Sequence, residues 1–286
     1  MRSFRYSLPG FVGEVSSDTD FEFGKKERYL LEAYVPGIKI MDTDEKPRSR
    51  IIHKEKRHAT AQVNDGLIEL TGEWKGELSS EVYHILGGIA RNHYIANKNF
   101  PVHAACAGLD DLVLITGHSG SGKTSVSLAL YEKHGWRFAS GNKTVVEFNG
   151  SSMHLKSGTK TMTGKVNDLK KYDDEVIYGN RKAFQLPPDR YVDSGSIGSI
   201  VLVRLSDGRR EWEEIEGISR LHTLYPFFLD SVNSDVIVSG KAVLDGTSST
   251  AAKEYLVDRL SSSSAPVYKA TGPIDHIADR IAEVSR

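Results

Sequence analysis

Gly117-His118-Ser119-Gly120-Ser121-Gly122-Lys123-Thr124 reads G-x-x-x-x-G-K-T, the pattern of a phosphate-binding P-loop. The pattern needs a strand before it and a helix after it. Leu112-Val113-Leu114-Ile115-Thr116 is an uninterrupted apolar strand leading in. Helical spacing runs from Thr124 to about His134, and Gly135 stands where a helix ends on a left-handed residue.

The residue types follow from what phosphate demands. Glycines let backbone N–H groups turn towards phosphate oxygens without side chains in the way. The helix N-terminus adds about half a positive charge at the same place. Lys123 is placed to reach the β- and γ-phosphates, and Thr124 offers a hydroxyl to Mg²⁺. Gly117, Ser119, Gly120, Ser121, Gly122, Lys123, Thr124 and Ser125 are therefore the expected nucleotide contacts.

Outward from the loop, alternation of apolar runs with Gly, Pro and Asp predicts a β-rich N-terminal region over residues 1–77. Its runs include Tyr29 to Val35, Ile51-Ile52 and Leu67 to Leu70, with Asn64-Asp65-Gly66 as a hairpin turn. Val82, Ile85, Leu86 and Ile89 predict a helix opened by Ser79 or Ser80. Phe100 to Gly108 reads as one strand, Arg137 to Ser140 as another, and Val145 to Leu155 as a hairpin. Asn167 to Glu175 reads as loop or short helix. Ser199 to Leu205 is a buried strand, and helices begin at Ser219, Ser249 and Asp275. Residues 78–286 are thus expected to form the nucleotide-binding domain.

The chain has 286 residues, 39% of them hydrophobic, enough for a real core. A net charge of -1 gives no reason to expect nucleic acid or a membrane surface as partner. The single cysteine, Cys106, forms no intramolecular disulfide and builds no Cys-rich zinc site. No run is long and apolar enough to span a membrane, and no apolar signal core follows Met1 to Tyr6, so a cytoplasmic location is expected. Composition leaves a homo-oligomer open.

Val102-His103-Ala104-Ala105, the strand and loop through Thr124, and Arg137 to Ser140 together resemble the HPr kinase/phosphorylase family, whose core is shared with phosphoenolpyruvate carboxykinases. Ile197 to Leu205 and Pro266 to Lys269 are similar to its later strands. The resemblance covers roughly residues 82–286. It implies an α/β fold with a mixed central sheet, ATP and Mg²⁺ as cofactors, and phosphorylation of a hydroxyl. In that family an Asp-Asp pair follows the strand after the P-loop helix; here Gly141-Asn142 and Lys143-Thr144 stand there. Asn142 keeps an amide oxygen for Mg²⁺ but cannot act as a base.

Without that pair, the candidate groups for taking the hydroxyl proton are His103 and the acidic cluster Asp173-Asp174-Glu175. Asp193 and Glu147 are weaker candidates. Arg181, with Arg190 as alternative, is the candidate transition-state cation. Gly158-Thr159-Lys160-Thr161 can close over phosphates or merely link strands. The expected function is ATP-dependent transfer of the γ-phosphate to a hydroxyl of a small molecule or peptide, in specialised metabolism. A protein serine kinase and a nucleotide-binding regulatory module without catalysis are the alternatives.

Overall fold

The computed structural model describes residues 2–58, 60–64, 67–74, 77–166, 172, 174–238, 241–244 and 249–285. Within them the chain is mixed α/β, with mixed sheets.

The N-terminal strands are β1 (Ser3–Leu8), β2 (Phe11–Ser17), β3 (Lys39–Met41), β4 (Ser49–Glu55), β5 (Thr60–Asn64) and β6 (Leu67–Gly72), with helix α1 (Lys25–Tyr34) between β2 and β3. They form one sheet in the order β3-β1-β2-β4-β6-β5, parallel at β2–β4 and β4–β6 and antiparallel elsewhere. Strands dominate the described residues of this region, and the run at Tyr29, expected as strand, is helix. Residues 25–28 supply its polar first turn, and the Glu27 carboxylate accepts from the Gly24 N–H at 2.9 Å. Tyr29, Leu30, Leu31 and Ala33 are buried. A short apolar run has no periodicity of its own to separate strand from helix. Asp65 and Gly66 lie outside the described residues.

Helix α2 (Ser80–Ala96) follows, N-capped at Ser79. Val82, Ile85, Leu86 and Ile89 pack with Tyr6, Val15, Leu31 and Ile51, so the N-terminal core runs on past residue 78. Next come β7 (Asn99–Val102), β8 (Ala105–Gly108), β9 (Leu112–Thr116), α3 (Lys123–His134), β10 (Arg137–Ser140), β11 (Thr144–Asn149) and β12 (Ser152–Gly158). The expected single strand over Phe100–Gly108 is two strands, broken at His103-Ala104. The Ala104 N–H turns back to the Val102 carbonyl at 2.8 Å, and the Thr144 hydroxyl donates to the Ala104 carbonyl at 2.9 Å.

β13 (Met162–Lys165), β14 (Glu175–Tyr178) and β15 (Arg181–Phe184) form a small antiparallel sheet in the order β13-β15-β14. Of the expected loop from Asn167 to Glu175, Tyr172 and Asp174 are described, and Glu175 begins a strand. β16 (Gly195–Leu205), β17 (Glu211–Glu214), α4 (Gly217–Asn233), β18 (Val236–Val238), β19 (Lys241–Leu244), α5 (Thr250–Ser262), β20 (Val267–Gly272) and α6 (Ile274–Val284) complete the chain.

The central sheet runs β10-β8-β9-β16-β12-β11-β7, with β20 also paired to β16 and β17 to β20. β9, β16 and β20 are parallel. Leu224, Phe228, Leu256 and Leu260 of α4 and α5 cover one face. Val126 and Leu130 of α3, with Ile277 and Ile281 of α6, cover the other. That is the layered solution for a sheet apolar on both faces.

The strand order has a geometric consequence. β7 and β8 are five places apart in it, yet two residues join them. Three backbone steps bring Val102 and Ala105 within about 11 Å. The sheet must therefore curl until its ends meet, and the meeting point is His103.

Candidate active site

The loop between β9 and α3 lies at the carboxyl ends of the parallel strands, where open α/β sheets leave a crevice. Gly117, Gly120 and Gly122 have φ of 145°, 77° and 97°. A Cβ at Gly122 would stand 2.3 Å from the Leu205 side chain, so glycine is required there by backbone and by space. The Leu205 N–H donates to the Ser121 carbonyl at 3.1 Å, tying the loop to the end of β16. Gly135 ends α3 with φ 69°, as expected, and the Trp136 N–H reaches back to the Leu130 carbonyl at 3.3 Å.

The loop opens on a cleft of about 1250 Å³. Ser119, Gly120, Gly122, Lys123, Thr124 and Ser125 line it. Gly117 and Ser121 do not; the Ser121 hydroxyl is buried, with no hydrogen-bond partner among the described residues. Lys123 is buried, and its ammonium donates to the carbonyls of Gly117 at 2.9 Å and His118 at 3.0 Å. Burial lowers its pKa to about 8. Leu205 and Ile274 give the cleft an apolar patch next to Gly122.

His103 also lines the cleft. Its ring reaches solvent but sits in the recess where the sheet ends meet. Desolvation there, helped by Lys123 and Lys143, lowers its pKa to about 4, so the imidazole is neutral across the physiological range. Asn142 neighbours the ring: its Nδ2 donates to the Ala33 carbonyl at 3.0 Å, and its side chain comes close enough to His103 to raise the imidazole pKa.

The segment 141–143 is held by Thr159, which is 1% exposed. Its hydroxyl accepts from the N–H groups of Asn142 at 3.0 Å and Lys143 at 2.9 Å. Its own N–H donates to the Lys143 carbonyl at 3.0 Å, and its carbonyl accepts from Gly141 at 2.8 Å. The polar stretch after β12 is therefore a clamp beneath the cleft.

Arg181 lines the cleft from β15 and donates to the Thr163 hydroxyl at 3.4 Å. Asp174 does not line it. Its carboxylate accepts from the Tyr29 hydroxyl and pairs with Lys25 at 2.5 Å, which together hold it below the usual carboxylate range. It fastens the small sheet to α1, and that contact places it away from the phosphate loop; Asp173 lies outside the described residues. Asp193 pairs with Lys160, Glu147 with Lys156, and Arg190 lies over Tyr131, none of them in the cleft.

The carboxylates that do line the cleft are Asp230, near the C-terminal end of α4, and Asp235 just beyond it. Sequence reading passed over both. Asp230 is near enough to His103 and Lys143 to raise the pKa of each. The missed signal was its place on the helix: Leu224 and Phe228 face the core, which leaves Asp230 at a different angle, towards the cleft. Among the described residues no cluster of three His, Cys, Asp or Glu forms a preassembled metal site. Cys106 is buried, which pushes its thiol pKa up. Among the described residues no helix is long and apolar enough to cross a membrane.

No known protein family and no curated protein matches the chain. Among solved structures it is similar to the HPr(Ser) kinase/phosphatase from Coxiella burnetii, at 13% identity over 64% of this chain and 92% of that one. The TM-score is 0.32, too loose a match to carry any argument about chemistry.

Proposed function

We propose that this chain is a phosphotransferase that binds ATP on residues 117–125 and passes its γ-phosphate to a hydroxyl held beside His103. The observation that carries this reading is the meeting, in one cleft, of a glycine-turned loop with its lysine, a neutral imidazole and a carboxylate. Phosphoryl transfer asks mostly for positioning and charge stabilisation, with little covalent work from the protein.

Lys123 exchanges its two loop carbonyls for phosphate oxygens. Leu205 and Ile274 offer the base an apolar seat. A ring nitrogen of His103, beside Asn142, accepts the hydrogen of the acceptor hydroxyl, and Asp230 stabilises the imidazolium that results. Arg181 faces the transferring group as a cation. Mg²⁺ suits the donor set as an ion carried on the nucleotide, since it is commonly held by phosphates, waters and one or two protein oxygens. Thr124 supplies a hydroxyl to it. When bound, it neutralises charge developing on the phosphates.

Lys123→Ala tests the reading. Calorimetric titration should show ATP affinity lost by about a hundredfold or more, with an unchanged circular dichroism spectrum. Unchanged affinity would overturn the assignment. The lack of a preassembled acidic cluster among the described residues favours one second reading, a nucleotide-binding regulator without catalysis. Label from γ-labelled ATP appearing on a hydroxyl compound in cell extract decides against that reading.

A further inference from the structure

The charges of the cleft are out of balance. Arg91, Lys123, Lys143, Lys165 and Arg181 line it, against Asp230 and Asp235. Lys165 and Arg181 are direct cross-strand partners on β13 and β15, an arrangement that repels unless an anion lies between or above them. Asp230 and Asp235 together with ATP and its metal ion still carry less negative charge than the five cations carry positive.

Their proximity matters more than their number. The charges that bear on His103 include Lys123 and Lys143, and those that bear on Lys143 include Arg91. Lys123 belongs to the phosphate loop. Lys143 stands over Gly87 of α2, where a Cβ would come within 3.8 Å of its ammonium. The Thr159 clamp fixes its backbone. The Lys143 ammonium has no hydrogen-bond or ion-pair partner among the described residues, and burial lowers its pKa. Arg91, one turn along α2 from Gly87, is 8% exposed, donates from Nε to Asn92 at 3.1 Å, and lies near enough to Asp235 for that carboxylate to bear on its guanidinium. Asp230 offsets part of the Lys143 charge from a distance but makes no ion pair with it; a desolvated ammonium without a paired anion is costly, and a ligand anion offsets that cost.

We propose that Lys143 and Arg91 form a second anion site, which takes a carboxylate or phosphate on the same molecule that carries the acceptor hydroxyl. This rests on the phosphotransferase reading and names its substrate class: a hydroxy acid, a peptide end or a phosphate ester, with the hydroxyl a few bonds from the anionic group. The anion anchors on Lys143, the hydroxyl falls beside His103, and the γ-phosphate arrives from Lys123. In the transfer the hydroxyl oxygen bonds to γ-phosphorus, the bond from γ-phosphorus to the β,γ-bridging oxygen breaks, ADP leaves, and the hydroxyl proton passes to His103.

The test uses full-length protein saturated with a non-hydrolysable ATP analogue and Mg²⁺. Inorganic phosphate and acetate are titrated in separately and followed by calorimetry. One further site of millimolar affinity is expected. Binding of phosphate alone points to a phosphate ester, and binding of acetate to a carboxylate. Lys143→Met should weaken that site by about tenfold or more while analogue affinity stays within about twofold, and Lys143→Arg should restore it. Two results overturn the proposal: neither anion binds the saturated wild type, or Lys143→Met loses analogue affinity as Lys123→Ala does. If the analogue itself fails to bind the wild type, the phosphotransferase reading falls instead. Phosphate titrated into nucleotide-free Lys123→Ala protein then tests the second site alone.

Discussion

Lys123 shows what a motif discloses and what it leaves out. Its place at the end of the loop was readable from the spacing to Gly117. Its burial was not, because depth is set by packing between elements far apart in sequence, as where Leu205 of β16 packs against Gly122. Burial sets a pH dependence. With the free lysine at about 8, the ammonium is charged below that pH and meets phosphate without proton movement. Above it, binding must take up a proton, so nucleotide affinity falls as pH rises through about 8, by at most about tenfold per unit. Titration at about pH 8.5 in two buffers of different ionisation enthalpy should reveal that proton, and Lys123→Arg should abolish it. Affinity that stays level from about pH 7 to 9.5 contradicts the assignment. His103 was legible as a candidate, but its neutrality comes from neighbours brought by other elements. Asp230 was illegible for the same reason: one acid on an amphipathic helix looks like any solvated residue until the helix is docked.

At the scale of elements, strong periodicity was the reliable guide. The spacing of Val82, Ile85, Leu86 and Ile89 marked α2, and the capping Ser249 marked α5, where its hydroxyl accepts from the Ala252 N–H. Short apolar runs misled, as at Tyr29 and across His103, because burial on all sides erases the pattern that distinguishes strand, helix and break. Gly88 stands inside α2 where Val236 packs, since a Cβ there would stand 2.4 Å from Val236 Cγ2. The clamp at Thr159 was legible only as a polar stretch. Its worth is measurable with Thr159→Val, which keeps the shape and removes the hydroxyl. Two N–H groups then lose their acceptor, a loss of about 2 kcal/mol or more. The melting temperature should drop by about 4–8 °C. A variant as stable as the parent would mean that 141–143 holds itself.

At the scale of the whole molecule, the cleft collects residues from the N-terminal segment, α2, the phosphate loop, the small sheet and the end of α4. Tyr34 and Pro36 reach it from before residue 78, so that region supplies wall as well as bulk. A ligand seated there bridges these elements, and its binding energy adds to global stability. At a nucleotide concentration of about 100 times Kd, binding contributes about 2.7 kcal/mol. That should raise the melting temperature by roughly 5–10 °C in the wild type and leave Lys123→Ala unmoved. Equal shifts in both would place the nucleotide elsewhere. The fold class followed from the strand, loop and helix at 112–134; the curl of the sheet did not, because it depends on which distant strands pair. That curl has a bearing on how the protein assembles. β8 is seated by β9 and β10, whereas β7 waits for β11, a partner some forty-five residues downstream. The imidazole hangs on the two residues between, so it reaches its place only when both ends of the sheet have formed. A nascent chain released early would already carry the loop of residues 117–124, while the recess around His103 would still be unbuilt.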